Sequence, residues 1–263
     1  MQNLTVAVVG DNTIDRYVGP NGRDYVGGNA VNVAVQLAER GIDVRYFGAV
    51  GPDSEGSRIH DELVTRGVNV DGLVTMQGPT ALTLISVDVS GDRHIDEERF
   101  GVTAQYYPTD AEITSMTTAD WVQIGMLPRA SELRRELRTQ RPKVRVGQDC
   151  SVSAGYRDLS IAFESTDVEH AHAVGEAALS KGASLAIVTL GADGAIAFTR
   201  GDGEIKQPAM QVDAVDTTGA GDSFIAGFVA AFLQSLDVPT AMAAGAAWAA
   251  RTCSHFGGFP QED

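Results

Sequence analysis

The amino-acid sequence predicts an α/β fold of three layers, in which a mostly parallel sheet lies between two layers of helices. Short apolar runs rich in Val and Ile, typical of buried strands, alternate with segments whose apolar residues recur at helical spacing. This alternation predicts parallel strands joined by helices that pack on both faces of the sheet. With 263 residues, 43% of them apolar, the chain is long enough to build one sizeable core. We therefore expect a single domain over residues 1–263.

The first predicted elements follow that order. Residues 4–10 (LTVAVVG) are an apolar, β-branched run that predicts a buried strand. Apolar residues from Ala30 onward share one helical face, and Gly41 is typical of the residue at which such a helix stops. Residues 44–51 (VRYFGAVG) then predict a second strand, and residues 57–67 (SRIHDELVTRG) predict a second helix.

The same alternation returns in the second half of the chain. Residues 121–126 (WVQIGM), 143–149 (KVRVGQD) and 185–191 (LAIVTLG) predict three further strands. A strongly apolar helix is predicted to begin at Gly219. Residues 241–250 (AMAAGAAWAA) predict another buried helix, because this stretch is much shorter than the ~20 residues of a membrane span.

One stretch interrupts the alternation of strands and helices. Residues 80–95 (TALTLISVDVSGDRHI) alternate apolar and polar side chains around a Ser-Gly-Asp turn, which is typical of a hairpin. Together with residues 16–26 they predict a small antiparallel sheet, formed by roughly 16–26 and 78–100, that lies over the main domain. Such a sheet is either a lid that keeps water away from a reactive phosphate or a plain edge hairpin, and the pattern leaves both open.

Charge and composition exclude several classes of protein. A formal charge of −15 argues against binding of long nucleic acids, whose phosphates require a basic face. The two cysteines, Cys150 and Cys253, lack the spacing of a metal site and are typical of a reducing cytosol. The first residues show no leader with a cleavage site. We expect a cytoplasmic protein without a nucleic-acid or membrane partner.

Three common phosphate-binding patterns are missing. Residues 51–58 (GPDSEGSR) contain the two glycines of a P-loop, but Ser57 stands where that loop requires lysine. The first strand ends in Gly-Asp-Asn, so the G-x-G-x-x-G pattern of dinucleotide-binding folds is absent there. The protein-kinase signatures H-R-D and D-F-G do not occur either. Any phosphate site must therefore be of another type.

Residues 216–222 (DTTGAGD) directly precede the apolar helix and form a candidate phosphate site. Gly219 and Gly221 allow the backbone to approach a ligand closely, and the start of a helix attracts an anion. Asp222 in the first turn would repel a phosphate, but it could accept a proton from a hydroxyl that attacks the phosphate. The alternative is that Asp222 only caps the helix above a tight glycine turn.

A second polar cluster is predicted near the end of the first strand. Asp11 and Asp15 follow that strand, and Asn29 and Asn32 lie near the start of the next helix, in residues 27–34 (GGNAVNVA). Open α/β sheets bind ligands at this end of their strands. Carboxylates and amides suit a polyhydroxylated molecule, whose hydroxyls both donate and accept hydrogen bonds. Helix caps and turn formers would explain the same residues.

Two of these segments together resemble the signatures of the ribokinase-like (PfkB) family of small-molecule kinases. Residues 27–41 (GGNAVNVAVQLAERG) resemble the N-terminal signature, and residues 216–227 (DTTGAGDSFIAG) match the C-terminal one at each defining position. Residues 189–195 (TLGADGA) resemble the loop on the nucleotide side, so the resemblance extends over essentially the whole chain. It implies a ribokinase-like fold with a small β lid.

Within the family, the chain most resembles fructoselysine and fructosamine 6-kinases. The features that carry this resemblance are GDNTID, GGNAVNVA, the GDR of the lid segment and HFGGF near the end. It implies ATP-dependent phosphorylation of a primary hydroxyl, most closely of a fructosamine such as fructoselysine. Ribose, fructose, 2-keto-3-deoxygluconate or a nucleoside remain alternative substrates. A sugar-binding relative without catalysis is a further alternative.

The family also implies roles for individual residues. Asp222 would be the catalytic base, and the backbone N–H groups of Gly219, Ala220 and Gly221 would form the anion hole. The residues implied to bind the sugar are Asp15, Gly27, Gly28, Asn32 and, from the lid, Arg93. The residues implied to line the nucleotide are Thr189, Gly191 and Gly194.

The resemblance further implies cations and an oligomer. Mg²⁺ is expected with ATP, because the phosphate charges need neutralising. Relatives usually carry N-x-x-E, whereas this chain has Thr166 in place of the asparagine and retains Glu169, which would act on Mg²⁺ through water. Asp216 and Thr218 lie where some relatives bind a monovalent cation such as K⁺. Relatives often pair through the lid sheet, which implies a homodimer.

Overall fold

A computed structural model describes residues 4–19, 22–87, 93–201 and 203–261. Within these residues the chain forms thirteen strands. In chain order they are β1 (Thr5–Val9), β2 (Thr13–Tyr17), β3 (Asp24–Gly27), β4 (Asp43–Val50), β5 (Asn69–Thr75), β6 (Leu82–Val87), β7 (Arg93–Arg99), β8 (Trp121–Ile124), β9 (Val146–Asp149), β10 (Ile161–Ser165), β11 (Leu185–Thr189), β12 (Ala195–Thr199) and β13 (Gly203–Gln207).

Seven α-helices connect or follow these strands in the described residues. They are α1 (Asn29–Ala38), α2 (Ser54–Thr65), α3 (Asp110–Met116), α4 (Ala130–Gln140), α5 (Ala171–Ser180), α6 (Ala220–Ser235) and α7 (Val238–Thr252). The second helix begins three residues before its predicted start at Ser57. The reason is a cap: Asp53 accepts a hydrogen bond of 2.9 Å from the N–H of Gly56 and so stabilises an earlier first turn. None of the helices within the described ranges is long and apolar enough to cross a membrane.

The larger sheet has nine strands in the order β13-β12-β11-β10-β9-β8-β1-β4-β5. In this order, all neighbouring strands from β5 to β11 pair in parallel. The two pairs at the other edge, β11 with β12 and β12 with β13, are antiparallel. Strand β1 lies inside the sheet between β4 and β8, so both of its faces are covered, as its apolar sequence predicts. The predicted α/β class with a mostly parallel sheet is confirmed.

A second, smaller sheet has four strands in the order β3-β2-β6-β7. It consists of two antiparallel pairs, β2 with β3 and β6 with β7, which are joined side by side through a parallel pairing of β2 with β6. Strands β6 and β7 lie within the predicted lid segment 78–100, whereas β2 begins three residues before the predicted segment 16–26 and β3 ends one residue after it. The predicted turn at residues 90–92 lies outside the described residues.

Two apolar layers hold the helices to the larger sheet. Alternate residues of β1 supply both: Val6 and Val8 belong to one layer, and Ala7 and Val9 to the other. The layer with Val6 contains α1, α6 and α7. In it, the ring of Phe228 from α6 is fully buried and packs edge-on against Phe163 of β10, with 5.5 Å between centroids. Burial of each such side chain stabilises the fold by about 1.5–3 kcal/mol.

The buried face of α6 therefore fixes the helix against the sheet. Its apolar residues face the core, and this leaves the first turn of α6 at the edge where the parallel strands end. Asp222, in that turn, is half-buried. The position of this carboxylate thus follows from the packing of the rest of the helix.

Candidate active site

The carboxyl ends of the parallel strands bring together groups that are far apart in sequence. Asp11 follows β1, Asp149 ends β9, and the first turns of α1 and α6 meet them at the same edge of the sheet. Open α/β sheets bind their ligands at this edge. The cluster that the sequence predicts after the first strand is therefore continuous with the glycine-led turn before α6.

Asp222 lies at the centre of this edge. Its Oδ2 accepts a hydrogen bond of 2.7 Å from Nδ2 of Asn32, and its Oδ1 accepts one of 2.5 Å from Nδ2 of Asn29. Both donors belong to α1, so two side chains of one helix hold the carboxylate from the facing helix. Each oxygen keeps lone pairs that remain available to a proton or a hydroxyl.

The environment makes Asp222 a stronger base than an ordinary aspartate. Burial raises the pKa of the Asp222 carboxyl well above its usual range, and the charges of Asp149 and Asp11 raise it further, whereas the hydrogen bonds from Asn32 and Asn29 lower it. A carboxylate with a raised pKa binds a proton more strongly, which suits a group that removes a proton from an alcohol.

Asp11 lies near Asp222 and has a structural role. Its carboxylate accepts hydrogen bonds from the N–H groups of Asn29 (2.8 Å) and Ala30 (3.1 Å) at the start of α1, and from the N–H of Met126 (3.2 Å). It thus caps α1 and ties it to the loop after β8. Burial raises the pKa of Asp11, and these backbone hydrogen bonds counteract the rise.

The residues that the resemblance assigns to the sugar lie close to this cluster. Asp15, on β2, is 8% exposed and packs on Gly27 of β3 so closely that a Cβ at Gly27 would collide with its carboxylate. Gly28 immediately precedes α1, and Asn32 in α1 is 4% exposed. Arg93 begins β7 in the smaller sheet, and its side chain lies outside the described part of the chain.

The turn before α6 requires glycine. Gly219 has φ of +70°, in the left-handed region, and a Cβ there would lie 2.5 Å from Cα of Gly258. Gly258 in turn packs on Asn32, and its carbonyl oxygen accepts a hydrogen bond of 3.0 Å from Nε2 of Gln36. The segment HFGGF is thereby packed between α1 and the glycine turn. At Gly221, by contrast, a Cβ would point into open space.

A cavity of about 370 Å³ adjoins that open space. Ala220 and Gly221 from the first turn of α6 line one end of it. All three residues predicted to contact the nucleotide line it as well: Thr189, Gly191 and Gly194. Its remaining wall is largely apolar and includes Phe224, Ala246, Ala250 and Met210. The largely apolar lining suits a planar group such as a nucleotide base, and the start of α6 at one end of the cavity suits an anion.

Asp216 and Thr218 form a tight loop beside the glycine turn. Asp216 is 4% exposed, and its Oδ1 accepts a hydrogen bond of 2.6 Å from the N–H of Thr218. Its Oδ2 accepts bonds from the N–H of Gly257 (2.9 Å) and from the hydroxyl of Tyr17 in β2 (3.4 Å). The carboxylate therefore joins this loop to the C-terminal segment and to the smaller sheet. A monovalent cation at these two residues stays a prediction.

Glu169 lies apart from these contacts, on an exposed turn between β10 and α5. Ser165, at the end of β10, lines the cavity. Among the residues that the structure describes, no cluster of three or more His, Cys, Asp or Glu side chains could hold a metal ion. Mg²⁺ that arrives on nucleotide phosphates needs no such cluster, because it usually keeps several waters and takes only one or two protein carboxylates.

One residue of the site was missed by the sequence interpretation. Asp149 ends β9, is 8% exposed, and its Oδ2 accepts a hydrogen bond of 2.7 Å from the same Asn29 Nδ2 that contacts Asp222. Its signal in the sequence is a single aspartate at the end of a predicted strand (KVRVGQD), next to no recognised pattern.

With this geometry established, comparison with known proteins identifies the family. Residues 6–130 and 153–261 match the model of the pfkB family of carbohydrate kinases. The chain belongs to the pfkB family. This chain is an ATP-dependent sugar kinase. The recognition of the two signature segments is thereby confirmed.

Several curated relatives match this pfkB kinase over most of its length. Fructoselysine 6-kinase from Escherichia coli is 30% identical over 260 residues, which are 96% of this chain and 98% of that protein. Fructosamine kinase FrlD from Bacillus subtilis is 29% identical over 97% of this chain and 93% of that protein. An ATP-dependent ribose-1-phosphate kinase from Halopiger xanaduensis is 31% identical over 84% of this chain and 77% of that protein.

Solved structures confirm the ribokinase fold of this pfkB kinase. Ribokinase from Arabidopsis thaliana, complexed with ribose and ATP, superposes with a TM-score of 0.87 at 20% identity, over 98% of this chain and 94% of that one. Ribokinase from Thermotoga maritima superposes with a TM-score of 0.83 at 22% identity, over 97% of this chain and 94% of that one. At these identities the likeness establishes the fold.

Proposed function

We propose that this kinase transfers the γ-phosphoryl group of ATP to a primary hydroxyl of a fructosamine, namely the 6-hydroxyl of a compound such as fructoselysine. The observation that carries the proposal is the carboxylate of Asp222, held by Asn29 and Asn32 at the start of α6 beside the nucleotide-sized cavity. The similarity to fructoselysine 6-kinase and fructosamine kinase over nearly the full length supports the choice of substrate.

The proposed reaction is a single direct transfer. The substrate oxygen attacks the γ-phosphorus in line, the bond from that phosphorus to the β–γ bridging oxygen breaks, and ADP leaves. Asp222 accepts the proton that the hydroxyl loses. The N–H groups of Gly219, Ala220 and Gly221, at the positive end of the α6 dipole, stabilise the charge on the equatorial oxygens. The N–H of Ala220 donates a hydrogen bond of 3.2 Å to the carbonyl oxygen of Thr217 in the free protein, and the phosphate would share it. Most of the rate then comes from positioning and electrostatics.

Magnesium completes the proposed nucleotide site. Mg²⁺ bound together with ATP would neutralise the charge of the phosphates. Glu169 is the side chain proposed to act on it through water, and its exposed position leaves its carboxylate accessible to solvent. Thr166, in place of the usual asparagine, offers a hydroxyl in place of an amide. K⁺ at Asp216 and Thr218 is proposed as an activating ion.

The charge of the site favours a substrate that is neutral or positive. Four carboxylates lie at the sugar end: Asp11, Asp15, Asp149 and Asp222. Like charges in a partly buried site repel one another strongly, so an anionic sugar such as 2-keto-3-deoxygluconate would be disfavoured. A fructosamine carries a secondary amine, which is protonated near neutral pH, and the same carboxylates would attract it.

A panel of acceptors tests the proposal. ATP consumption is measured with fructoselysine, other fructosamines, ribose, fructose, 2-keto-3-deoxygluconate and nucleosides, each with and without K⁺. We expect the highest kcat/KM with a fructosamine and phosphate on its 6-hydroxyl. A clear preference for ribose, fructose or a nucleoside would contradict the proposed substrate, while the proposed transfer mechanism would still hold. Thermal stabilisation by a sugar without turnover would identify a binding protein instead.

The smaller sheet is also proposed as the surface of a homodimer. Ile95, on the edge strand β7, is 64% exposed and offers an apolar side chain at this surface. Light scattering on the wild type and on Ile95→Glu tests this: we expect a dimer that the charge weakens, and a monomer at every concentration would contradict it.

A further inference from the structure

The side chain of Asn29 lies between two carboxylates. Its Nδ2 is 2.7 Å from Oδ2 of Asp149 and 2.5 Å from Oδ1 of Asp222. A carboxamide nitrogen carries two hydrogens, so Asn29 donates one to each acid and has no third to give. The two carboxylates therefore share one donor, although they belong to different elements, β9 and α6.

We infer that Asp149 is a positioning residue for proton transfer: it holds the carboxamide of Asn29 in the orientation in which Asn29 donates to Asp222. This inference rests on the proposed role of Asp222 as the base. Asn29 could in principle turn its oxygen toward Asp222, and it would then repel the carboxylate. In that orientation the amide oxygen of Asn29 would face the carboxylates of both Asp149 and Asp222, and all three groups are hydrogen-bond acceptors. Only the orientation in which Asn29 donates to both acids is therefore stable.

Asp149 is itself fixed in place. Its Oδ1 accepts a hydrogen bond of 2.9 Å from the N–H of Ser151, in the turn that follows β9, and its Oδ2 accepts the bond from Asn29. The residue is 8% exposed and has no ion-pair partner among the described basic residues. A buried, unneutralised carboxylate destabilises a fold, so its presence beside a second acid indicates a functional purpose.

The charge of Asp149 has a second effect on Asp222, opposite in sign to that of the hydrogen bond from Asn29: the bond lowers the pKa of Asp222 and the charge raises it. The groups that face Asp222 are Asp149 from β9, Asp11 from the loop after β1, and the two amides from α1. The titratable groups that interact with Asp149 are Asp222 on α6, Cys150 directly after β9, and Glu164 on β10. Each acid near Asp222 raises its pKa, so removal of the charge at position 149 must lower it.

The test uses pH profiles of kcat and kcat/KM for wild type, Asp149→Asn and Asn32→Ala. In the wild type the rate falls on the acid side as Asp222 becomes protonated. Asp149→Asn should move this acid limb to lower pH, because a negative neighbour is gone. Asn32→Ala should move it to higher pH, because a hydrogen bond to the charged form is gone. We expect shifts of about half a pH unit or more in each direction.

A double-mutant cycle tests the path through Asn29. Asp149→Ala should lower kcat by about tenfold with little change in the KM of ATP, and the effect should largely vanish in an Asn29→Ala background. Additive effects on kcat would overturn the inference, while Asp222→Asn would still be inactive. If Asp222→Asn is fully active instead, Asp222 is not the base, and both the proposed mechanism and this inference fail. Thermal melts of each variant separate loss of folding from loss of positioning.

Discussion

Nδ2 of Asn32 in α1 lies 2.7 Å from Oδ2 of Asp222 in α6, although 190 residues separate the two in the chain. This contact joins the two glycine-led helices of the site at their first turns. Because the donor is a neutral amide, it holds the carboxylate without neutralising it. The carboxyl group is thus fixed in place, and its raised pKa favours the acceptance of a proton.

Asp222→Asn should abolish most of the turnover. The amide cannot accept the proton of the hydroxyl, so we expect kcat to fall by on the order of a hundredfold or more. Binding of ATP should persist or tighten, because a negative charge near the phosphates is removed. Steady-state kinetics and calorimetric titration with ATP measure the two effects. Near-normal turnover would exclude Asp222 as the base.

The same substitution should stabilise the free protein at neutral pH. The pKa of Asp222 is raised in the folded state above the ordinary aspartate value of 3.8, so its charge destabilises the fold above the folded pKa. This penalty disappears progressively as the pH falls from the folded pKa toward 3.8. Asn32 can rotate its amide to meet the new side chain, since its Oδ1 is buried without a partner.

Thermal melts over a range of pH measure this effect. We expect the melting temperature of Asp222→Asn to exceed that of the wild type at pH 7, by about 2–4 °C for each kcal/mol. The difference should shrink as the pH approaches 4. A variant that is less stable than the wild type at pH 7 would show that the carboxylate stabilises the fold.

Two glycines of the α6 turn should respond differently to alanine. Gly219→Ala places a Cβ on a left-handed residue and 2.5 Å from Cα of Gly258, so we expect a loss of about 1–3 kcal/mol in the free energy of unfolding. Gly221→Ala meets open space and should fold normally, yet its methyl group projects toward the cavity. It should raise the KM of ATP. Equal stability of both variants in urea would contradict the account of this turn.

Helix α7 offers a matched pair for the nucleotide cavity. Ala250 lines the cavity, whereas Ala247 on the same helix is exposed and does not. Ala250→Phe should raise the KM of ATP by about tenfold or more, equivalent to about 1.4 kcal/mol, and leave the KM of the sugar unchanged. Ala247→Phe should behave as the wild type. If the two variants bind ATP equally well, the nucleotide base lies elsewhere.

The parts of the fold that could be predicted are those with a local pattern. The apolar run of β1, the helical face of α6 and the alternation in the smaller sheet all depend on residues close in sequence. The antiparallel edge formed by β12 and β13 has no such signal, because strand direction at an edge depends on tertiary pairing.

The candidate site divides in the same way. Asp222 and Gly219 could be predicted because they lie in one continuous motif before an apolar helix. Asp149 could not, because its contact with Asn29 spans 120 residues and depends on where β9 lies in the sheet relative to α1. The role of Glu169 was inferred from a motif with one altered position, and its exposed turn leaves that role a prediction.

The central claim is that the backbone N–H groups at the start of α6 hold the γ-phosphate while Asp222 faces the acceptor hydroxyl. A crystal structure with a non-hydrolysable ATP analogue, Mg²⁺ and fructoselysine measures both distances at once. We predict γ-phosphate oxygens within hydrogen-bond distance of the N–H groups of Gly219–Gly221 and the 6-hydroxyl within hydrogen-bond distance of Asp222. A γ-phosphate bound away from this turn, or a 6-hydroxyl that contacts a different acid, would contradict the account.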